Sequence, residues 1–135
     1  MALTRVINSG IGVAASIAGD GTATTNLQQG LAKCWVEFDP ESLSGTGTTG
    51  VGDSFNLTSM TDNSAGNHTI TINNSMNSAS YSTPTAPNAS FTSGGVGVYA
   101  GANTHATGSF KFVSRRNDAA ADTNYGGVTV HGDLA

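Results

Sequence analysis

The groups that could do chemistry in this chain are few: three histidines, nine acidic side chains, one cysteine and a scatter of aromatics in 135 residues. His68, His105 and His131 fall in different segments. No two have the spacing of a helical metal site, and no second cysteine or close carboxylate cluster accompanies them, so they read as imidazoles in strands or turns rather than zinc ligands. Asp39, Glu41 and Asp53 flank one Gly/Thr/Ser loop at residues 42–52. Calcium takes oxygen ligands from such loops. The preferred reading is turn chemistry, in which a short acidic side chain accepts a nearby backbone N–H. Two carboxylates for glycoside hydrolysis would need a cleft and a matched separation, and neither can be read here. Serine is abundant, yet there is no Gly-x-Ser-x-Gly elbow, and the Gly-rich stretches lack the Lys-Ser/Thr of a phosphate loop. The chain is therefore expected to be no enzyme, with no catalytic residue, cofactor or metal.

The aromatics are the remaining candidates. Trp35, Tyr81, Tyr99 and Tyr125 could form a platform on which a sugar stacks, or could be buried against another copy. Trp35 lies on the strand face opposite Cys34, Val36 and Phe38, and burial is the commoner fate of a lone Trp, so an intersubunit contact is preferred to a ligand site.

Composition sets the frame that must position these groups. The chain has 18 Gly, 18 Thr, 15 Ser and 12 Asn, but only 10% charged residues. Disordered chains combine low hydrophobicity with high net charge; here the net charge is only −4, and the polar residues are turn formers and β-tolerant threonines. Five basic residues, with Arg115 and Arg116 followed at once by Asp118 and Asp122, make no phosphate-binding footprint. No nucleic-acid partner is expected. One cysteine allows no intrachain disulfide, which fits a reducing cytoplasm. Residues 11–18 are too interrupted by glycine for a secretory signal, and no run approaches the ~20 apolar residues of a membrane span, so no membrane insertion is expected.

Periodicity supplies the elements. Residues 33–38 alternate, as do residues 54–58 (Phe55 and Leu57 against Ser54, Asn56 and Thr58) and residues 69–73 around Ile70 and Ile72, with a hairpin connection over residues 61–67. Pro84 and Pro87 demote any strand in residues 76–88 to an edge or a loop. Phe91, then Val96, Val98 and Tyr99, then Phe110 and Phe112, then Val128 and Val130 supply later strands. The one helical candidate, residues 25–33, would be a turn or two. Many short strands at near-regular spacing predict an all-β fold, an antiparallel β-sandwich of jelly-roll or immunoglobulin-like kind, over residues 31–135. Residues 1–30 predict an extended N-terminal arm for attachment and oligomerisation. Its apolar residues (Leu3, Val6, Ile7, Ile11, Val13 and Ile17) are too interrupted by glycine to form a core of their own.

Five segments carry a resemblance. They are residues 24–35 (TTNLQQGLAKCW), Asp53-Ser54-Phe55-Asn56, residues 59–66 (SMTDNSAG) followed by residues 69–72, the Met-x-x-Ala-x-Tyr of residues 76–81, and the terminal VTVHGDLA. Together they resemble the small β-rich virion structural proteins of marine and freshwater tailed bacteriophages, which form C-terminal domains of fibres and other appendages and often end in Phe-Gly-Asp-Leu-Ala; His131 stands here in the Phe position. The resemblance covers most of residues 24–135 and brings no catalytic residue with it. It implies a virion structural role, a homotrimer, exposure on the particle after assembly in the host cytoplasm, and other virion proteins of capsid or tail as partners. Many relatives carry a long N-terminal shaft where this chain has about thirty residues, which implies a short fibre, a tail appendage or a capsid decoration component. The rival reading is a carbohydrate-recognition module for a host surface glycan.

Overall fold

Side chains that alternate at period two give a strand one face to bury, and two such faces make a sandwich. In the computed structural model, which describes residues 16–18, 24–26, 30–88, 98–116 and 119–133, the chain divides into two compact units, Met1–Leu31 and Ala32–Ala135. In the first, β1 (Ser16–Ala18) and β2 (Thr24–Asn26) pair antiparallel, with Ile17 opposite Thr25. Leu3, Val6, Ile7, Ile11 and Val13 lie outside the described residues.

The second unit contains β3 (Ala32–Phe38), a 3-10 turn (Pro40–Ser42), β4 (Thr46–Gly47), β5 (Val51–Phe55), β6 (Leu57–Ser64), β7 (Asn67–Ile72), β8 (Thr85–Asn88), β9 (Val98–Ala106), β10 (Ser109–Arg116), β11 (Ala119–Ala120) and β12 (Tyr125–His131). Its strands form two sheets packed face to face, the predicted antiparallel β-sandwich. The smaller sheet has the order β5-β3-β12-β8; the larger runs β11-β10-β7-β6-β4, with β9 also pairing β10. β8 carries Pro87 and lies at a sheet edge, where the missing N–H costs no ladder bond. Phe91 and Val96 are outside the described residues.

Burial follows the alternation. Cys34, Val36 and Phe38 of β3 and Val128 and Val130 of β12 face Met60, Ile70, Ile72, Phe110 and Phe112 of the larger sheet, with Leu43 and Met76 closing the ends. Full burial of each such side chain is worth about 1.5–3 kcal/mol. Phe38 and Phe112 meet edge-to-face across the core, centroids 5.0 Å apart, which locks one sheet to the other.

Three expectations are corrected. Residues 54–58 are not one strand: β5 and β6 lie in different sheets, and the chain turns between them at Asn56, whose φ is +60°. Asn tolerates that left-handed conformation because its short amide can bond locally. Here its Nδ2 donates to Lys33 O at 2.8 Å and to Asn74 O at 3.2 Å, and its Oδ1 accepts from Asn74 N at 2.7 Å. The helical candidate at residues 25–33 is extended at both ends, in β2 and at the start of β3; Gly30 between them is helical, and residues 27–29 lie outside the described residues. The expected hairpin connection is shorter than residues 61–67, because β6 continues to Ser64 and only Ala65 and Gly66 turn.

That turn is tied to the rest of the sandwich. Gly66 has φ +65°, and a side chain there would run into Ser114 O and Ala121 N. The close approach lets Ser114 N donate to Gly66 O at 2.9 Å and Gly66 N donate to Asp122 Oδ1 at 2.6 Å. Asp122 thus fastens the segment leading into β12 against the β6–β7 turn.

Candidate functional site

The open face of the smaller sheet is built by the same alternation that fills the core. With Cys34, Val36 and Phe38 inward, Trp35 and Glu37 of β3 point outward. With Val128 and Val130 inward, Tyr125, Gly127 and Thr129 of β12 point outward. Register then sets two rows. Trp35 stands opposite Phe55 on one side and Thr129 on the other; Glu37 stands opposite Asp53 and Gly127, and Gly127 opposite Ala86.

A Gly-Gly pair inside a strand needs a reason, since glycine weakens strands. Both faces of this one are occupied by rings. A side chain on Gly126 would come within 2.6 Å of the Phe38 ring in the core, and one on Gly127 within 3.3 Å of the Tyr125 hydroxyl on the outside. The Tyr125 side chain therefore brings its ring edge, at the hydroxyl and Cε1, over Gly127. Between it and Trp35 runs a groove of about 410 Å³, lined by Trp35, Glu37, Pro84, Ala86, Tyr125 and Thr129 among others. The volume lies within the roughly 300–1,000 Å³ of small-molecule sites. Among the described residues, neither the Trp35 indole N–H nor the Tyr125 hydroxyl has a protein partner.

The four aromatics singled out from the sequence separate into groups. Trp35 and Tyr125 share the groove. Tyr81 does not: it packs on the core, and its hydroxyl is held by Ala106 O at 2.8 Å and Ser109 O at 3.0 Å. Burial first, and nearby Cys34 second, push its phenol up to about 12. Tyr99 stands on β9 opposite Arg115; its side chain is outside what is described. Phe55, Glu37 and Thr129 belong to the same face and were not singled out. Alternation over residues 54–58 puts Phe55 on one face with Leu57. The break at Asn56 puts Leu57 against the core and leaves Phe55 54% exposed beside Trp35.

The titratable groups elsewhere have structural surroundings. His68 is fully buried, 3.1 Å from Asp122 Oδ1 through Nε2, with Phe38 and Phe112 around it. His105 Nε2 lies 3.0 Å from Thr83 Oγ1, an imidazole–hydroxyl pair not anticipated from sequence, and its ring stacks on Phe110 and meets Tyr81 edge-on. A hydroxyl, an imidazole and a carboxylate do not converge at either histidine among the described residues. Asp39 does turn chemistry: its Oδ1 accepts from Glu41 N at 3.0 Å and its Oδ2 from the Ser42 hydroxyl at 2.6 Å. Asp53 accepts from Ser54 N at 2.7 Å. Among the described residues, no group of three histidine, cysteine or acidic side chains is placed to hold a metal ion.

In comparison with known proteins, no family model, no curated protein and no solved structure matches the chain. What the groove can do therefore rests on its own geometry.

Proposed function

We propose that the chain is a bacteriophage virion structural protein, a short fibre or tail appendage or a capsid decoration component. In this reading it is assembled in the host cytoplasm as a homotrimer, displayed on the particle surface and anchored by residues 1–30. The observation that carries the reading is the contrast between the two faces of the smaller sheet. The inner face seals a core of its own, with Cys34, Phe38 and Val130 fully buried, while the outer face presents Phe55 and Tyr125 to solvent at 54% and 36% exposure. A sandwich that stands without that outer strip can offer it to something else, and exposed apolar strips rimmed by polar groups mark contact surfaces. The resemblance of residues 24–135 to phage appendage domains gives the kind of particle. The net charge of −4 points to protein and surface partners rather than packaged nucleic acid.

The test is biochemical. Mass spectrometry of particles purified from a phage carrying the gene is expected to find the full chain as a structural component and to lose it when residues 1–30 are deleted. Absence of the full-length chain from intact particles would refute the virion reading. Normal incorporation of the truncated chain would remove the anchor role from the arm.

A further inference from the structure

We infer that His68 is a proton-operated latch. With a proton on Nδ1 it closes on Asp62 while it holds Asp122, and so ties β6, β7 and the segment leading into β12 together at one point.

The hydrogen on the other ring nitrogen is set first. Asp122 Oδ1 accepts from Gly66 N at 2.6 Å, and the same oxygen lies 3.1 Å from His68 Nε2. A carboxylate offers only lone pairs, so Nε2 carries a hydrogen to sit there. That leaves Nδ1 as the atom whose state changes with pH. It is buried and has no hydrogen-bond partner among the described residues. Facing it at 3.7 Å is Asp62 Oδ1. In the neutral imidazole a lone pair therefore looks at the lone pairs of a carboxylate, and neither can donate. A proton on Nδ1 turns that opposition into an N–H facing an acceptor.

Placement lets the contact close. Asp62 is paired directly opposite His68 in the β6–β7 ladder, and the register shifts immediately after it, between Asp62 and Ser64. Its side chain keeps 34% exposure and with it the freedom to turn. Charge-assisted N–H···O bonds run about 2.7–2.9 Å, so a movement of about 1 Å makes the bond.

The elements packed round the ring bring two ionisable groups, Asp62 from β6 and Asp122 from the segment before β12. β3 and β10 bring the Phe38 and Phe112 rings, with centroids 6.3 Å and 6.4 Å from that of the imidazole. Burying a cation costs solvation, which two flanking carboxylates offset. The neutral form has a cost of its own, a buried acceptor without a donor. The closed contact exists only in the folded chain and only with His68 charged. It therefore adds stability at acidic pH, where histidine is charged, and is lost as pH rises to where histidine is neutral.

Urea unfolding of the full-length protein and of Asp62→Asn at pH 5.5 and pH 8 tests the latch. Asp62 is partly exposed, so the variant keeps the core intact, and its amide can turn an N–H toward Nδ1 and suit the neutral imidazole. Taking the ratio of the two folding constants cancels the other titrating groups. The ratio of unmodified protein to variant is expected to be at least fivefold larger at pH 5.5 than at pH 8. Long-range proton–nitrogen NMR of the imidazole rings, assigned with His105→Gln and His131→Gln, reads the protons directly. Nε2 of His68 should keep its hydrogen at both pH values, and Nδ1 should gain one by pH 5.5. A ratio that does not change with pH, or a folded protein whose Nδ1 is still bare at pH 5.5, would overturn the proposal.

Discussion

The thiol of Cys34 sits on the inward face of β3, fully buried, and that position changes its chemistry. Desolvation penalises the thiolate and pushes the group from an ordinary value of 9.0 up to about 11. A group whose folded value is raised holds its proton longer in the native state than in the unfolded one. Its contribution is complete below about pH 9 and is lost as pH rises toward 11, at roughly 1.4 kcal/mol per pH unit. Tyr81, raised in the same direction by burial and by Cys34, moves the same way at slightly higher pH. The melting temperature is expected to fall between pH 9 and 11, and Cys34→Ala to flatten that fall even while lowering stability at neutral pH. The native thiol should also resist a disulfide reagent at pH 8 and react once urea unfolds the chain. An unchanged slope between pH 9 and 11 in the alanine variant would show that Cys34 is not responsible for it.

At the scale of elements, the strands were legible wherever one face is apolar and the other polar. Residues 33–38, 69–73, Phe110 with Phe112, and Val128 with Val130 each read correctly as half-buried strands because period-two patterning is what a sandwich requires. The corner at Asn56 was not legible. Ser54 to Thr58 keeps perfect alternation, and nothing in a pattern of side-chain types reveals that one residue adopts φ +60° and sends the chain from one sheet to the other. The outer row goes with it: alternation puts Phe55 on one face with Leu57, and only the turn at Asn56 brings Phe55 into line with Trp35 and Thr129. The groove also depends on β12 lying beside β3, a pairing of residues nearly a hundred positions apart that no local signal encodes. Asn56 can be tested as the corner. Replacement by Ala keeps the left-handed strain, which costs about 1 kcal/mol for a residue without a local bond. It also removes the side-chain bonds to Lys33 O, Asn74 O and Asn74 N, each worth about 1 kcal/mol. Asn56→Ala is therefore expected to cost about 2–4 kcal/mol in urea unfolding, and Asn56→Gly about 1 kcal/mol less because the strain is relieved. A loss below about 0.5 kcal/mol for the alanine variant would mean the corner is held by the sheets alone.

For the whole molecule, the question is which surfaces meet when copies assemble. A lone Trp on a strand face suggests burial between subunits, yet Trp35 is half-buried already and borders a groove with Tyr125. If that face is kept for a ligand, the trimer must be made elsewhere, and the arm is the segment assigned to it: short extended pieces can add strands to a neighbour's sheet through main-chain hydrogen bonds. Two arrangements then give opposite results. With assembly through the arm, light scattering at micromolar concentration is expected to give three times the 13.5 kDa chain mass for the full chain and for Trp35→Ala alike, and the single chain mass after deletion of residues 1–30. With assembly through the aromatic face, Trp35→Ala and Phe55→Ser would fall to monomer while the deletion stays trimeric. The second pattern would close the groove, because its rings would be packed against a neighbouring copy. A monomer mass for the unmodified chain would remove the trimer itself and leave the groove open on a single displayed sandwich.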